Sequence, residues 1–164
     1  MLVKRSLLRE PLTACCSPEY IKQFGEPTVP NDLTQHLCLY ATTLVGGNKW
    51  IFEQDGEYNS VEISQTVEAD DSEVLRNIAL AHGGIAHLPY SLIGSEIAKG
   101  NLVPVLKNYV SSEFELNLYF KPRKYMPARC ANFKDYLIQR VGEIEKEKKW
   151  SAYRHTQQPT LVTE

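Results

Sequence analysis

The stretch Ala69–Tyr90, ADDSEVLRNIALAHGGIAHLPY, admits few folds. It reads as a helix start, a helix, a glycine stop, a short strand and a proline end. Asp70 can act as an N-cap, and Glu73 three residues later completes a capping-box spacing. Val74, Leu75, Ile78 and Ala81 recur at helical spacing, which predicts one buried face. Gly83 and Gly84 supply the left-handed C-cap that residues with a Cβ adopt only at a cost. Ile85–Leu88 then has the length of a buried strand, and Pro89 removes the next ladder donor. A helix that returns through Gly-Gly into a strand is half of an α/β unit. In such folds ligand sites lie in crevices at sheet ends, near exposed helix N-termini.

The flanks carry the same alternation of short elements. Leu12–Cys16 reads as a strand, Pro18–Phe24 as a short helix stopped by Gly25, residues 31–36 as another helical turn, and Leu37–Ala41 as a second strand. Thr42–Asn48 is a polar, glycine-containing loop. Trp50–Phe52 and Val61–Val67 read as strands, with Asp55-Gly56 as turn chemistry between them, and Val61, Ile63, Gln65 and Val67 sharing one face. Leu92–Ala98 predicts a helix stopped at Lys99-Gly100, and Leu102–Leu106 a strand that Pro104 confines to an edge. Phe114, Leu116, Leu118 and Phe120 alternate as a strand. Pro127 then opens an amphipathic helix carrying Cys130, Phe133, Leu137, Val141 and Ile144. The last residues, from about 146 on, lose periodicity and are expected to fray.

The 164 residues suit one ordinary domain or two small lobes, and 43% hydrophobic with 23% charged residues is globular composition. A net charge of -2 gives no support for direct nucleic-acid binding. No apolar run approaches a membrane span and the start lacks a signal-peptide core, so a cytoplasmic location without membrane partners is expected. Cys15, Cys16, Cys38 and Cys130 lack zinc-knuckle spacing and read as buried free thiols, Cys15 and Cys16 pointing to opposite faces of a strand.

No nucleophile elbow, phosphate loop, HExxH or dinucleotide fingerprint is present. His36 lies two residues from Cys38, which does not align a nucleophile with a base. His87 sits at a strand end, where an imidazole is commonly structural. Asp70, Asp71 and Glu73 resemble a carboxylate cluster, but their helix-start position explains them as cap and dipole partners. The reading is a binding protein, with no catalytic, metal or cofactor residues. With an acidic helix start, this lobe on its own is expected to hold small carboxylates poorly and to contribute mainly hydroxyl contacts from Thr42 and Thr43.

The succession CCSPEYIKQFGEPTVPNDLTQHLCL, then Trp50 and Phe52 with Gly56, then ADDSEVLRNIALAHGGIAHLPYSLI, KGNLVPVLKNY and LYFKPRKYMPARCANFKDYL resembles the effector-binding domain of LysR-type transcriptional regulators over roughly residues 3–142. The resemblance implies an α/β fold like that of type 2 periplasmic binding proteins, here one complete lobe plus part of the other. Residues 1–10 would be a crossover lead-in, 11–112 the second lobe, 113–145 the returning strand and helix of the first lobe, and 146–164 a polar tail. It implies a small-molecule effector contacted by Tyr40, Thr42 and Thr43, by Asp70, Asp71 and Ser72, and by His87 and Pro89. DNA would be reached only through a winged helix-turn-helix that this sequence does not contain. Apolar faces left open by the missing part of the first lobe imply self-association. A fragment of a solute-binding protein with the same fold is the alternative.

Overall fold

The computed structural model describes residues 2–44, 46–64 and 66–147. The chain divides into two compact units, one of residues 2–10 with 115–147 and one of residues 11–114. The elements follow in order. β1 is Val3–Cys16, α1 Pro18–Phe24, β2 Cys38–Ala41, β3 Lys49–Gln54, β4 Glu57–Glu62 and β5 Thr66–Ala69. α2 is Ser72–Leu80, β6 Ile85–Pro89, α3 Tyr90–Lys99, β7 Val103–Pro104, β8 Val110–Ser111, β9 Glu113–Phe120 and α4 Ala128–Glu147. A 3-10 turn, Pro30–Gln35, precedes β2.

In the 11–114 unit the main sheet runs β5-β2-β6-β1-β7. β2 is parallel to both β5 and β6, while β1 is antiparallel to β6 and β7. Strand alternation sorts its side chains between two cores. Ala14, Cys16, Cys38 and Ile85 face α1 and the smaller sheet β4-β3-β8, with Trp50, Phe52 and Val61 packed against them. Cys15, Leu39, Ala41, Ala86 and Leu88 face α2 and α3, meeting Leu75, Ala79 and Ile93. Cys15 and Cys16 therefore do point to opposite faces. Each large apolar side chain buried here stabilises the fold by roughly 1.5–3 kcal/mol.

The Asp55-Gly56 turn is present as expected: φ is 54° and 82° at its two residues, and Gln54 pairs with Glu57 across a two-residue loop. Pro104 lies on the edge strand β7, where its missing N–H costs no ladder bond. α1 starts on Ser17, whose Oγ accepts from the Tyr20 N–H at 3.1 Å. α3 ends on Gly100 in the left-handed region.

Other expectations are corrected. The stretch 61–67 is not one strand. β4 ends at Glu62 in the small sheet and β5 begins at Thr66 in the large one, because Val61 and Ile63 belong to one core and Val67 to the other; Gln65 lies outside the described residues. The cap of α2 is Asp71, which accepts from the Glu73 N–H at 2.8 Å, and not Asp70. The buried positions of α2 are Leu75 and Ala79, whereas Val74 and Ala81 are exposed. The left-handed residue after α2 is His82, at φ 66°. Its Nδ1 hydrogen-bonds the Ser17 Oγ at 2.8 Å and so holds that costly conformation in place. Gly83 is needed for another reason, since a Cβ there would meet Ile78 Cγ2 at 2.5 Å.

In the other unit the first part of β1 pairs with β9. Glu115 receives Lys4 at 3.1 Å and Arg9 at 2.9 Å, and hydrogen bonds from Asn117, Lys4 and Arg9 hold its carboxyl down to about 2. The Lys134 Nζ lies 5.1 Å from the Phe120 ring centroid. Among the described side chains of α4, Ala131 is buried, while Leu137 and Val141 are half-buried. Cys130 and Phe133, expected to be buried, are exposed. The fraying expected from about residue 146 does not begin there, since α4 continues through Glu147; the rest of that stretch lies outside the described residues.

Gly84 offers a test of how tightly β6 is seated. Its φ is 153°, and an added Cβ would stand 2.6 Å from the Leu37 carbonyl oxygen, a backbone atom that cannot swing aside. Gly84→Ala is expected to cost about 3 kcal/mol, because overpacking and backbone strain add. Gly100→Ala, with open space around it, should cost about 1 kcal/mol. Urea unfolding compares the two, and equal losses would exclude the Leu37 contact as the cause.

A candidate effector site at the carboxyl edge of the sheet

β5, β2 and β6 run parallel, so their carboxyl ends open on one edge of the sheet, where ligand sites form in α/β folds. Register places Tyr40 opposite Glu68 and Ala41 opposite Ala69. The Tyr40 hydroxyl donates to Glu68 Oε2 at 2.7 Å, which raises the pKa of that hydroxyl. The Thr42 N–H donates to the Ala69 carbonyl at 2.9 Å, and its hydroxyl reaches the same oxygen at 3.4 Å. The loop after β2 is thereby tied to the start of α2, which carries Asp70, Asp71 and Ser72. His87 and Pro89 lie at the same end of β6.

A shallow cavity of about 20 Å³, open to solvent, lies at this edge, lined by Leu12, Tyr40, Ala41, Leu44, Gly47, Lys49, Trp50, His87 and Ser112. Of the residues expected at the site, Tyr40 and His87 line it. Thr42, Thr43, Asp70, Asp71, Ser72 and Pro89 share the edge without lining the cavity; Thr42 and Thr43 are exposed and Pro89 is buried. Leu12, Lys49, Trp50 and Ser112 come from β1, β3 and the segment after β8. Only pairing of distant strands brings them together, and no local motif marks them.

His87 is the best-defined group in the wall. It is 4% exposed, its ring lies 4.6 Å from Trp50 and 5.7 Å from Phe52, and its Nε2 shares a short hydrogen bond with the Ser111 Oγ. Burial pushes the imidazole down to about 3, so the ring is neutral at physiological pH. The Leu12 N–H donates to the Ser112 carbonyl at 3.0 Å, so β1 and the chain after β8 meet directly beside this pair.

Nucleophilic chemistry finds no pairing here. His36 Nδ1 faces the Tyr20 hydroxyl at 3.1 Å, and the Cys38 thiol donates to the Leu33 carbonyl at 3.6 Å. Burial lowers the His36 imidazole against the opposing pull of Asp32, and pushes the Cys38 thiol up to about 12. Cys15 and Cys16 are likewise buried and held protonated. Among the described residues no His, Cys, Asp or Glu cluster is arranged to hold a metal, and no helix is long and apolar enough to cross a membrane.

The depressed imidazole of His87 has a consequence for stability. Below its ordinary value near 6.5 the unfolded chain takes up a proton that the folded chain refuses. The stabilisation is therefore complete above that value and is lost as pH falls toward 3. Between pH 7 and pH 5 this one group is expected to remove about 2 kcal/mol of unfolding free energy. Urea unfolding of the parent chain and of His87→Gln measures the difference. A variant whose pH profile parallels the parent's would exclude the assignment.

The comparisons with known proteins agree with this architecture. The LysR substrate binding domain profile matches residues 1–142. The transcriptional regulator CrgA of Neisseria meningitidis serogroup C is 31% identical over 139 residues, which is 84% of this chain and 46% of that protein. The probable regulator LtrA of Klebsiella pneumoniae is 30% identical over 133 residues, 79% of this chain and 43% of that protein. The chain thus spans about half the length of the curated relatives it matches. The solved CrgA regulatory domain superposes with a TM-score of 0.73 at 30% identity, covering 85% of this chain and 69% of that one. Full-length AphB of Vibrio cholerae, at 23% identity and a TM-score of 0.76 over 85% of this chain and 48% of that one, shares the fold. The match extends over most of the sequence, and this chain belongs to the LysR substrate-binding domain family.

Proposed function

We propose that the 11–114 unit is the effector-sensing part of a LysR-type transcriptional regulator, binding a small molecule at the carboxyl edge of β5, β2 and β6. The observation that carries the reading is the cavity in which Tyr40 and His87 meet Leu12, Lys49, Trp50 and Ser112. Its lining sets the polar groups of Tyr40, Lys49, His87 and Ser112 beside the apolar Leu12, Leu44 and Trp50. Thr42, Thr43, Asp70, Asp71, Ser72 and Pro89 surround it as rim and support. In the whole protein a cytoplasmic regulator would reach DNA through a winged helix-turn-helix outside this sequence. Effector occupancy would act by changing how subunits pack, which requires different affinities for the two arrangements. Self-association is supported by the exposed apolar side chains of the 2–10 and 115–147 unit: Leu116, Tyr119, Phe133 and Tyr136 are 42–65% exposed.

Two measurements test these proposals. A thermal-shift screen of small metabolites should yield compounds that stabilise the chain by about 2.7 kcal/mol at a hundredfold excess over Kd. Ser112→Trp, which fills the cavity from an exposed position, should abolish the shift; a screen without a hit, or hits that persist in the variant, would exclude the site. For association, Phe133→Glu with Tyr136→Glu should lower the weight-average mass in sedimentation. An unchanged mass would remove α4 from the interface.

A further inference from the structure

We infer that the outward face of the small sheet β4-β3-β8 receives the basic segment 121–129 of a second copy of this chain. Side chains alternate along a strand, and on β3 and β4 the inward set is Trp50, Phe52 and Val61. Register then puts two rows on the outward face, Tyr58 beside Glu53 beside Val110, and Ser60 beside Ile51. Ile51, Tyr58 and Val110 are 41%, 76% and 38% exposed, so this face turns three large apolar side chains to solvent. Its charge is negative. Residues 49–62 carry the four carboxylates Glu53, Asp55, Glu57 and Glu62 against the one cation Lys49, a net charge of -3.

The segment 121–129, KPRKYMPAR, has the opposite make-up, with four Lys and Arg and no Asp or Glu around Tyr125 and Met126. Lys121, Lys124, Tyr125 and Arg129 are exposed, and the Lys124 Nζ lies 5.4 Å from the Tyr125 ring centroid, so charge and ring share one spot. Lys121, Lys124 and Arg129 form no ion pair among the described residues. The contrast extends beyond the two patches. Residues 11–114 hold thirteen Asp and Glu against five Lys and Arg, a net charge of -8, whereas residues 1–10 with 115–147 hold six against ten, a net charge of +4. Two basic segments repel each other, as do two acidic sheet faces, so the favourable encounter is between unlike surfaces. An apolar centre within a charged rim is the common anatomy of a protein contact, and Tyr125 supplies an aromatic anchor for Tyr58 and Ile51. A nucleic-acid backbone would neutralise the basic segment but leave the apolar side chains of the sheet in water. A second copy satisfies both surfaces, and the contact involves neither the cavity nor Phe133 and Tyr136.

Sedimentation of the full chain over a range of concentrations measures this contact. Its dissociation constant is expected to rise roughly tenfold as NaCl goes from about 50 to about 500 mM, because exposed charges are screened. Lys121→Glu with Lys124→Glu and Arg129→Glu, and separately Glu57→Lys with Glu62→Lys, should each lower the weight-average mass. Mixing the two variants should restore it, since each then offers the other an opposite charge. Association that ignores salt would overturn the contact, and so would two variants that are folded by circular dichroism yet stay apart when mixed. Parent-like mass in both variants would overturn it and leave association to α4. A parent chain that is monomeric at low salt would also overturn it and assign the two surfaces to other partners. The salt dependence of the parent chain decides alone should either variant fail to fold.

Discussion

Much of the 11–114 unit depends on one buried imidazole that must find a partner without being charged. His87 points from β6 toward the small sheet and is enclosed by Trp50 and Phe52 of β3. A polar ring sealed among aromatics costs several kcal/mol unless hydrogen-bonded. The Ser111 hydroxyl meets that need, and doing so fixes β8 against β6. Because β8 pairs with β3, through Phe52↔Ser111 and Glu53↔Val110, the bond also fixes the hairpin. Two sheets that share no ladder are thus joined by this side-chain contact, by the Leu12–Ser112 backbone hydrogen bond and by the apolar packing around them.

The elements that were legible in the sequence are those whose causes are local. Ser17-Pro18 starts a helix and Asp55-Gly56 turns a hairpin because the backbone conformations they favour are set by neighbouring atoms. The alternation at Cys15 and Cys16 follows from strand geometry alone. Misreadings arose where a distant contact decides. Val61–Val67 alternates well enough to be one strand, yet Ile63 packs with Phe52 and Val67 with the α2 side, so the chain must break between sheets. The turn after α2 looks like a glycine cap, but the hydrogen bond from His82 to Ser17, sixty-five residues away, lets a histidine take the left-handed position. Glycine follows because Ile78 crowds residue 83 and Leu37 crowds residue 84, neither of which periodicity reveals.

The same distinction divides the candidate site. Tyr40 and His87 lie at ends of recognisable strands beside the Gly-Gly stop, so a resemblance along the chain reaches them. Lys49 and Trp50 open a hairpin strand, Leu12 sits midway along a fourteen-residue β1, and Ser112 follows a strand of two residues that the sequence did not announce. Their common location is a product of register: Ala14 pairs with His87, and Leu12 with Pro89, which carries the start of the β1 ladder to the carboxyl end of β6.

That arrangement also explains why an uncharged histidine suits the wall of this cavity in an acidic unit. A protonated imidazole would attract the surrounding carboxylates and add a second cation beside Lys49, making the cavity's charge depend on pH. Burial against Trp50 and Phe52 removes that dependence, since the imidazole is held far below its ordinary value. The ring keeps its shape and its hydrogen bond to Ser111 across the physiological range, while Lys49 supplies charge from the exposed end of β3. Rigidity and charge are thus carried by different residues. Replacing the buried residue should loosen the junction of the two sheets. The junction holds Ser111 directly beside Ser112, whose carbonyl accepts from the Leu12 N–H.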